Sequence, residues 1–400
     1  MNTFIRSTIV LALVAVALQS YCVAVQGENE RARAATQIKF EEVARQAEAA
    51  RNANKFEQAA NLYRIAVRAR PNWTEGWGYL ASSLYQLNRF AEARDAYRQT
   101  TVLTPKNAPS WAFLGLCEYE LSEYRQAFDH LFKSEQLGLG ADRDLNAQVK
   151  YHLAILWDTA GQFEEGLREM TWFPEQNLGS QEIIEAIGLS VLRRPWFPND
   201  IPTEKHEMIL VAGAAGFAEN SRQLDKAKTF YEQLVAENSK EHDVHYAFGR
   251  FLVKLDPDAA LMEYEKELEI SPNHVPARIE AGYLCLKMGQ LDKGLSYARE
   301  AEELEPKNSM SHNLVGRMLV EMGKTAEGIP ELGQATRLAP NNAEFHLNLA
   351  RAYQKAGSKE AAAKELAVFD QLQRKRAVQE DLDKKRRTAA QQQGTAAPQP

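Results

Sequence analysis

The stretch PKNSMSHNLVGRMLVEMGKTAEGIPELGQATRLAP, residues 306–340, decides the fold. It holds two runs with apolar residues at helical spacing, divided by the turn Glu321-Met322-Gly323-Lys324 and bounded by a proline at each end. A proline lacks the N–H a helix needs and excludes the residue before it from helical geometry, so each one closes the second run. Working outward, Pro272, Pro306 and Pro340 stand 34 residues apart, and Pro71 and Pro105 show the same interval. A fixed period of this length means a repeat array, in which no unit buries its apolar face alone and each is stabilised by its neighbours.

The same residue classes recur in register. Trp77, Leu80 and Ala81 are followed by Phe90, Ala93, Tyr97 and Pro105; Trp111, Leu114 and Gly115 by Tyr124 and Ala127. Later come His312, Val315, Gly316, Ala335 and Pro340, then His346, Leu349, Ala350, Tyr353 and Ala362. Small residues (Gly115, Gly282, Gly316 and Ala350 on the first helix, Ala59, Ala93, Ala127 and Ala227 on the second) stand where two backbones approach closely. This pattern of large, Leu, small, then aromatic, Ala, aromatic, Pro resembles the tetratricopeptide repeat over roughly residues 40 to 376, in the manner of exported bacterial members of that family. The resemblance implies an all-α solenoid, a right-handed superhelix of antiparallel helix pairs.

Repeats are expected to start near 40, 74, 108, 147, 181, 208, 242, 275, 309 and 343, with residues 142–146 as an insertion. The unit from 181 has a first helix through Ile184, Ile187, Gly188 and Val191, but its second is replaced by Arg193-Arg194-Pro195-Trp196-Phe197-Pro198-Asn199-Asp200-Ile201-Pro202. Three prolines so close together cannot be helical. The expected organisation is an N-terminal block of about four repeats over 40–180, an interruption at 181–207 and a C-terminal block of about five over 208–376. A polar helical cap should follow in 377–400, disordered from about Thr388. Pro330 lies inside a second helix, which should therefore start late or bend.

Residues 1–27 read as a targeting segment rather than part of the fold. Arg6 precedes the apolar run Thr8–Leu18 and a small-residue stretch to Gly27, which suits a cleaved secretory signal. An uncleaved anchor and a lipidated Cys22 remain open as alternatives, although Tyr21 stands where a lipoprotein signal has a small residue. The expected location is periplasmic or secreted, with membrane contact only through this segment and only if it is uncleaved or lipidated. Cys117 and Cys285 fall far apart in the array and are expected as buried free thiols.

A formal charge of -6 and a pI near 5.9 give no case for nucleic-acid binding. The basic clusters Arg374-Lys375-Arg376 and Lys384-Lys385-Arg386-Arg387 are interleaved with Glu380, Asp381 and Asp383, as on a solvated helix. His242 and His245 stand one helical turn apart, but His245, His312 and His346 share one repeat position, which argues for packing over metal. No phosphate loop, nucleophile elbow or zinc-spaced cysteine pair is present in the sequence, so neither catalysis, a cofactor nor a metal is expected. Trp196 and Phe197 are expected to fill the space left by the missing helix.

The resemblance also implies a concave groove lined by first helices. Carried over in register, Tyr283, Lys287, Asn313, Arg317, Arg351 and Lys355 would line its C-terminal part, and Tyr85, Tyr119, Tyr151 and Asp158 its N-terminal part. The expected function is non-catalytic binding of a protein or peptide, acidic where it meets Arg317 and Arg351. The alternatives are a scaffold acting through the convex face or tail and, more remotely, an enzyme subunit with unrecognised chemistry. Fold alone does not choose among them, nor does it give the oligomeric state.

Overall fold

A computed structural model describes residue 37 and residues 39–394, all helix and turn with no strand among the described residues. The chain divides into two compact units at the junction of Leu139 and Gly140. In the first, three antiparallel pairs follow one another: α1 (39–52) with α2 (Phe56–Ala69), α3 (Thr74–Gln86) with α4 (Phe90–Leu103), and α5 (Ala108–Glu120) with α6 (Tyr124–Leu137). Its core runs through Ala59, Tyr63, Leu80, Ala81, Leu84, Ala93, Leu114 and Cys117. Gly115 is there because a Cβ would come within 2.7 Å of Leu131.

The second unit opens with α7 (Arg143–Thr159), α8 (Phe163–Met170), the single turn α9 (Trp172–Glu175) and α10 (Gln181–Val191). After two short 3-10 turns it continues with α11 (His206–Asn220), α12 (Leu224–Asn238), α13 (Val244–Leu252) and α14 (Pro257–Ile270). The regular repeats follow as α15 (Val275–Lys287), α16 (Leu291–Leu304), α17 (Ser309–Glu321), α18 (Thr325–Leu338), α19 (Ala343–Lys355) and α20 (Lys359–Gly394). The break between units thus falls one repeat earlier than the connector at 181–207, because α10 packs back onto α7 and α8.

Helix starts agree with the sequence register, and local chemistry explains them. Asn107, Asp142, Asp256, Asn308 and Asn342 each cap a first turn, accepting a hydrogen bond from a backbone N–H two or three residues on. The insertion expected at 142–146 takes the form of a cap, Asp142, and an added first turn of α7. At Pro330 the late start is ruled out, since α18 begins at its regular place, Thr325, with the proline inside it. At the sixth helical position a proline withdraws only one N–H from the ladder. Likewise α20 runs on to Gly394, past the point where composition suggests disorder. Residues 1–36, Cys22 included, and 395–400 lie outside the described residues.

One interaction recurs in both units. A ring N–H in the first turn of the first helix reaches back six residues to the carbonyl of the preceding turn. Trp77 donates to Pro71 at 2.8 Å and Trp111 to Pro105 at 2.9 Å. His312 Nε2 meets the Pro306 carbonyl at 3.0 Å, His346 Nε2 that of Pro340 at 3.0 Å, and His245 Nε2 that of Ser239 at 3.1 Å. In these five repeats the contact requires a flat ring with an N–H rather than mere bulk, whereas α15 carries Arg278 there.

Where the second helix is missing, α10 packs directly on α11. A Cβ on Gly188 would lie 2.0 Å from the Ile209 carbonyl oxygen, and one on Gly213 would lie 1.8 Å from that of Ile184. Two glycines on facing helices thus bring the backbones into contact. The connector begins at Arg193, in the left-handed region with φ 54°, and lays Trp196, Phe197 and Ile201 against this core. Replacing Gly213 by Ala should destabilise the second unit by about 2 kcal/mol or more, as overpacking does. Gly78→Ala, whose Cβ would meet nothing nearer than 4.0 Å, should be neutral or mildly stabilising. Urea unfolding followed by circular dichroism checks both.

Candidate partner-binding site

Tyr283, Arg317 and Arg351 occupy one repeat position on α15, α17 and α19, and Lys287, Glu321 and Lys355 another one turn on. The structure joins the first of these into a polar ladder. Asn313 Nδ2 donates to the Tyr283 hydroxyl at 2.8 Å, and Asn348 Nδ2 donates to Asn313 Oδ1 at 3.0 Å. Arg317 lies 5.5 Å over the Tyr283 ring and 3.7 Å from Glu344, a contact that orients the guanidinium. Lys287, Arg351 and Lys355 are exposed, and Lys355 reaches Glu321 at 3.4 Å. Asn313 departs from the expectation of a groove-facing amide: it is fully buried, and its role is to tie α15 to α19. Burial raises the Tyr283 hydroxyl above its usual pKa, against the hydrogen bond from Asn313.

The tyrosines expected at the N-terminal end serve packing as well as surface. In the first unit Tyr85 sits edge-on to Phe90 and Phe113, and Tyr119 edge-on to Tyr124. In the second, Tyr151 meets His152 edge-on at 5.2 Å. Burial pushes the hydroxyls of Tyr85 and Tyr151 up to about 12. Asp158 corrects the register argument outright. It is fully buried, accepts a hydrogen bond from Ser190 at 2.6 Å, and is pushed well above the carboxylate range by burial. Its partner Ser190 lies on α10, so this position is used to bind helix to helix.

Two features had no signal at the level of repeat register. A cleft of about 300 Å³ lies among α8, α10, α11, α12 and α13, with Glu164, Arg168, Asn220, Tyr231 and Arg250 in its lining. Nearby, Arg194 of the connector is 2% exposed. It donates to the His242 carbonyl at 2.9 Å and to Asp243 Oδ2 at 3.3 Å. Asp243 also takes His274 Nε2 at 2.8 Å, while His274 Nδ1 caps α15 by accepting from Ala277. The backbone N–H of Asp243 is held by the buried Glu267 at 2.8 Å. The only sequence hint was a pair of arginines opening a stretch too rich in proline to be helical.

This node makes stability depend on pH. Burial would raise the Asp243 carboxyl, but hydrogen bonds from His242 and His274 and the charge of Arg194 overcome it and hold the group down to about 2. A depressed carboxyl contributes stability above its unfolded pKa and loses it as pH falls through the folded one. The contribution, on the order of 2 kcal/mol, should disappear between about pH 4 and pH 2. Asp243 has φ 65°, which asparagine tolerates, so Asp243→Asn keeps the backbone and removes the charge. That variant should lose about 3 kcal/mol at neutral pH by leaving Arg194 buried without its counter-charge. Its stability should also fall less steeply than the parent's below pH 4 in acid-titration calorimetry.

Comparison with known proteins places the repeats. Models described as tetratricopeptide repeat match residues 45–108 and 80–136, residues 275–308, and residues 319–380. The Protein CTR9 homolog of Arabidopsis thaliana is 25% identical over 115 residues, which are 28% of this chain and 10% of that protein. The chain therefore spans about a tenth of the length of that relative. Among solved structures, MamA from Desulfovibrio magneticus RS-1 is 19% identical with a TM-score of 0.39, over 42% of this chain and 96% of that one. YrrB, described as a TPR protein with an unusual peptide-binding site, is 21% identical with a TM-score of 0.35, over 42% of this chain and 88% of that one.

Proposed function

We propose that this chain, a tetratricopeptide-repeat protein, is a non-catalytic adaptor of the cell envelope or secreted space that holds an acidic peptide or protein segment against α15, α17 and α19. The observation that carries the reading is a set of three cations, Arg317 half-buried and Arg351 and Lys355 exposed, beside a fixed amide ladder. Asn313 and Asn348 lock the three helices to one another, and Arg317, Arg351 and Lys355 project from that locked surface. A rigid backbone that presents guanidinium groups one repeat apart suits carboxylates spaced along an extended segment. Arg317 is partly neutralised by Glu344 and Lys355 by Glu321, so the surface selects a ligand able to displace those weak contacts. The apolar segment Thr8–Leu18 supports export. No helix among the described residues is long and apolar enough to cross a membrane.

A second reading, a scaffold acting through its end, is favoured by α20, whose 36 residues extend well past the length of any other second helix. The two readings separate by experiment. Affinity capture from envelope extract with the wild-type protein is compared with Arg317→Glu, Arg351→Glu, Lys355→Glu. All three positions lie outside the buried core, so the triple variant should keep its helical circular dichroism. The adaptor reading expects a specific partner lost by the triple variant, with affinity weakened at least tenfold, about 1.4 kcal/mol. Partners held equally by both proteins would overturn it in favour of the scaffold.

A further inference from the structure

Three side chains from three successive helices converge at the start of α17. His312 Nδ1 lies 3.1 Å from Glu302 Oε1 and 2.9 Å from Glu331 Oε2, and the three donor atoms all fall within 4.8 Å of one another. Glu302 comes from α16 and Glu331 from α18, so the cluster straddles the boundary between two repeats. The remaining atoms of all three side chains are already committed. His312 Nε2 is directed at the Pro306 carbonyl at 3.0 Å, which places the ring N–H on that nitrogen and leaves Nδ1 as the inward atom. Arg299 Nη1 holds the outer oxygens, Glu302 Oε2 at 2.7 Å and Glu331 Oε1 at 2.8 Å. The inner oxygens alone face Nδ1. A nitrogen lone pair and two carboxylate oxygens cannot face one another bare, so a proton on Nδ1 or a cation has to stand between them.

We propose that this cluster is a binding site for a divalent transition-metal ion of zinc type, with His312 Nδ1, Glu302 Oε1 and Glu331 Oε2 as protein ligands and solvent completing the shell. An imidazole and two carboxylates are a donor set for zinc and its neighbours rather than for magnesium or calcium. Zinc ligands at about 2.0 Å in a tetrahedron lie roughly 3.3 Å apart, close to the 3.1 and 2.9 Å already present between Nδ1 and the two oxygens. The surroundings have the form that metal sites take: the ring is oriented by a carbonyl at its far nitrogen, and the carboxylates are oriented by a guanidinium at their far oxygens. The side chains of Glu302 and Glu331 are 19% and 18% exposed, which leaves an ion a path in from solvent.

Other repeats of the same chain give the contrast. His346 meets Glu365 and His245 meets Glu263 in the same geometry, but Thr336 and Val235 stand where Glu302 stands. Each of those two histidines meets a single carboxylate, and of these three positions His312 alone gathers a second. The sequence reading of these histidines as packing groups holds for the shared ring-to-carbonyl bond, and the extra ligand is added to it. An ion here would fasten α16 to α17 and α18 on the side of the fold away from the core.

The test uses the full chain, stripped with EDTA and titrated with zinc chloride by calorimetry, with thermal unfolding measured in parallel. One ion per chain and a raised unfolding temperature are expected. His312→Trp places at this site the ring used at Trp77 and Trp111, keeping the bond to the turn while removing the ligand. It should abolish stoichiometric binding. Glu302→Gln, which leaves the histidine untouched, should weaken binding at least tenfold, and His346→Trp should leave it unchanged. Circular dichroism establishes that each variant is folded; should His312→Trp not fold, Glu302→Gln alone decides. No stoichiometric binding by the parent protein, or equal binding by Glu302→Gln, would overturn the site.

Discussion

Two helices can share a core only as closely as the residues between them allow, and that closeness is set by where side chains stop at hydrogen or a methyl group. In the first unit Gly115 comes within contact of Ala127 and Leu131. In the second, Gly282 meets Gly294, and Gly316 meets Gly328, each across one helix pair. Larger groups at these places would push the helices of a pair apart and shift every later pair with them, because each rests on the one before. The ring bonds to the turn carbonyls, the caps and the polar ladder all presuppose this spacing. They are short-range contacts and fail if the backbones part by an ångström or two.

Much of this was legible in the sequence because repetition supplies its own alignment. One proline is ambiguous, whereas prolines at a constant interval fix the register of everything between them. The starts of the first helices and the burial of Cys117 and Cys285 followed from that register. The failures came where register stopped being informative. Asp158 occupies a position that is half-buried at Tyr85 and Tyr119, yet Ser190 of an incomplete repeat covers it fully. Asn313 reads as a polar surface residue, yet its amide is consumed between Tyr283 and Asn348. Both errors have one source. The repeat pattern gives a residue's angle around its helix, but its neighbours decide whether that angle faces water.

The candidate binding surface was legible to a similar degree. Tyr283, Arg317 and Arg351 were found by their common interval, and they do share one row. The interval carried no hint that the amides beneath them are fixed, and fixity is what turns a charged face into one able to discriminate among ligands. The buried node around Arg194 and Asp243 was beyond reach for the opposite reason, since its members come from a connector and a turn that no repeat predicts.

The direct seating of α10 on α11 bears on how such an array can change. From α15 to α19 first and second helices alternate at a 34-residue interval, so each joint repeats the last in the course of its backbone. Between Gly188 and Gly213 that repetition ends. Each glycine is fitted to a particular backbone carbonyl on the other helix, so the two are a mated pair rather than copies of a common part. The segment from 181 to 220 is thus one fitted block, and a change on either helix has to be answered on the other.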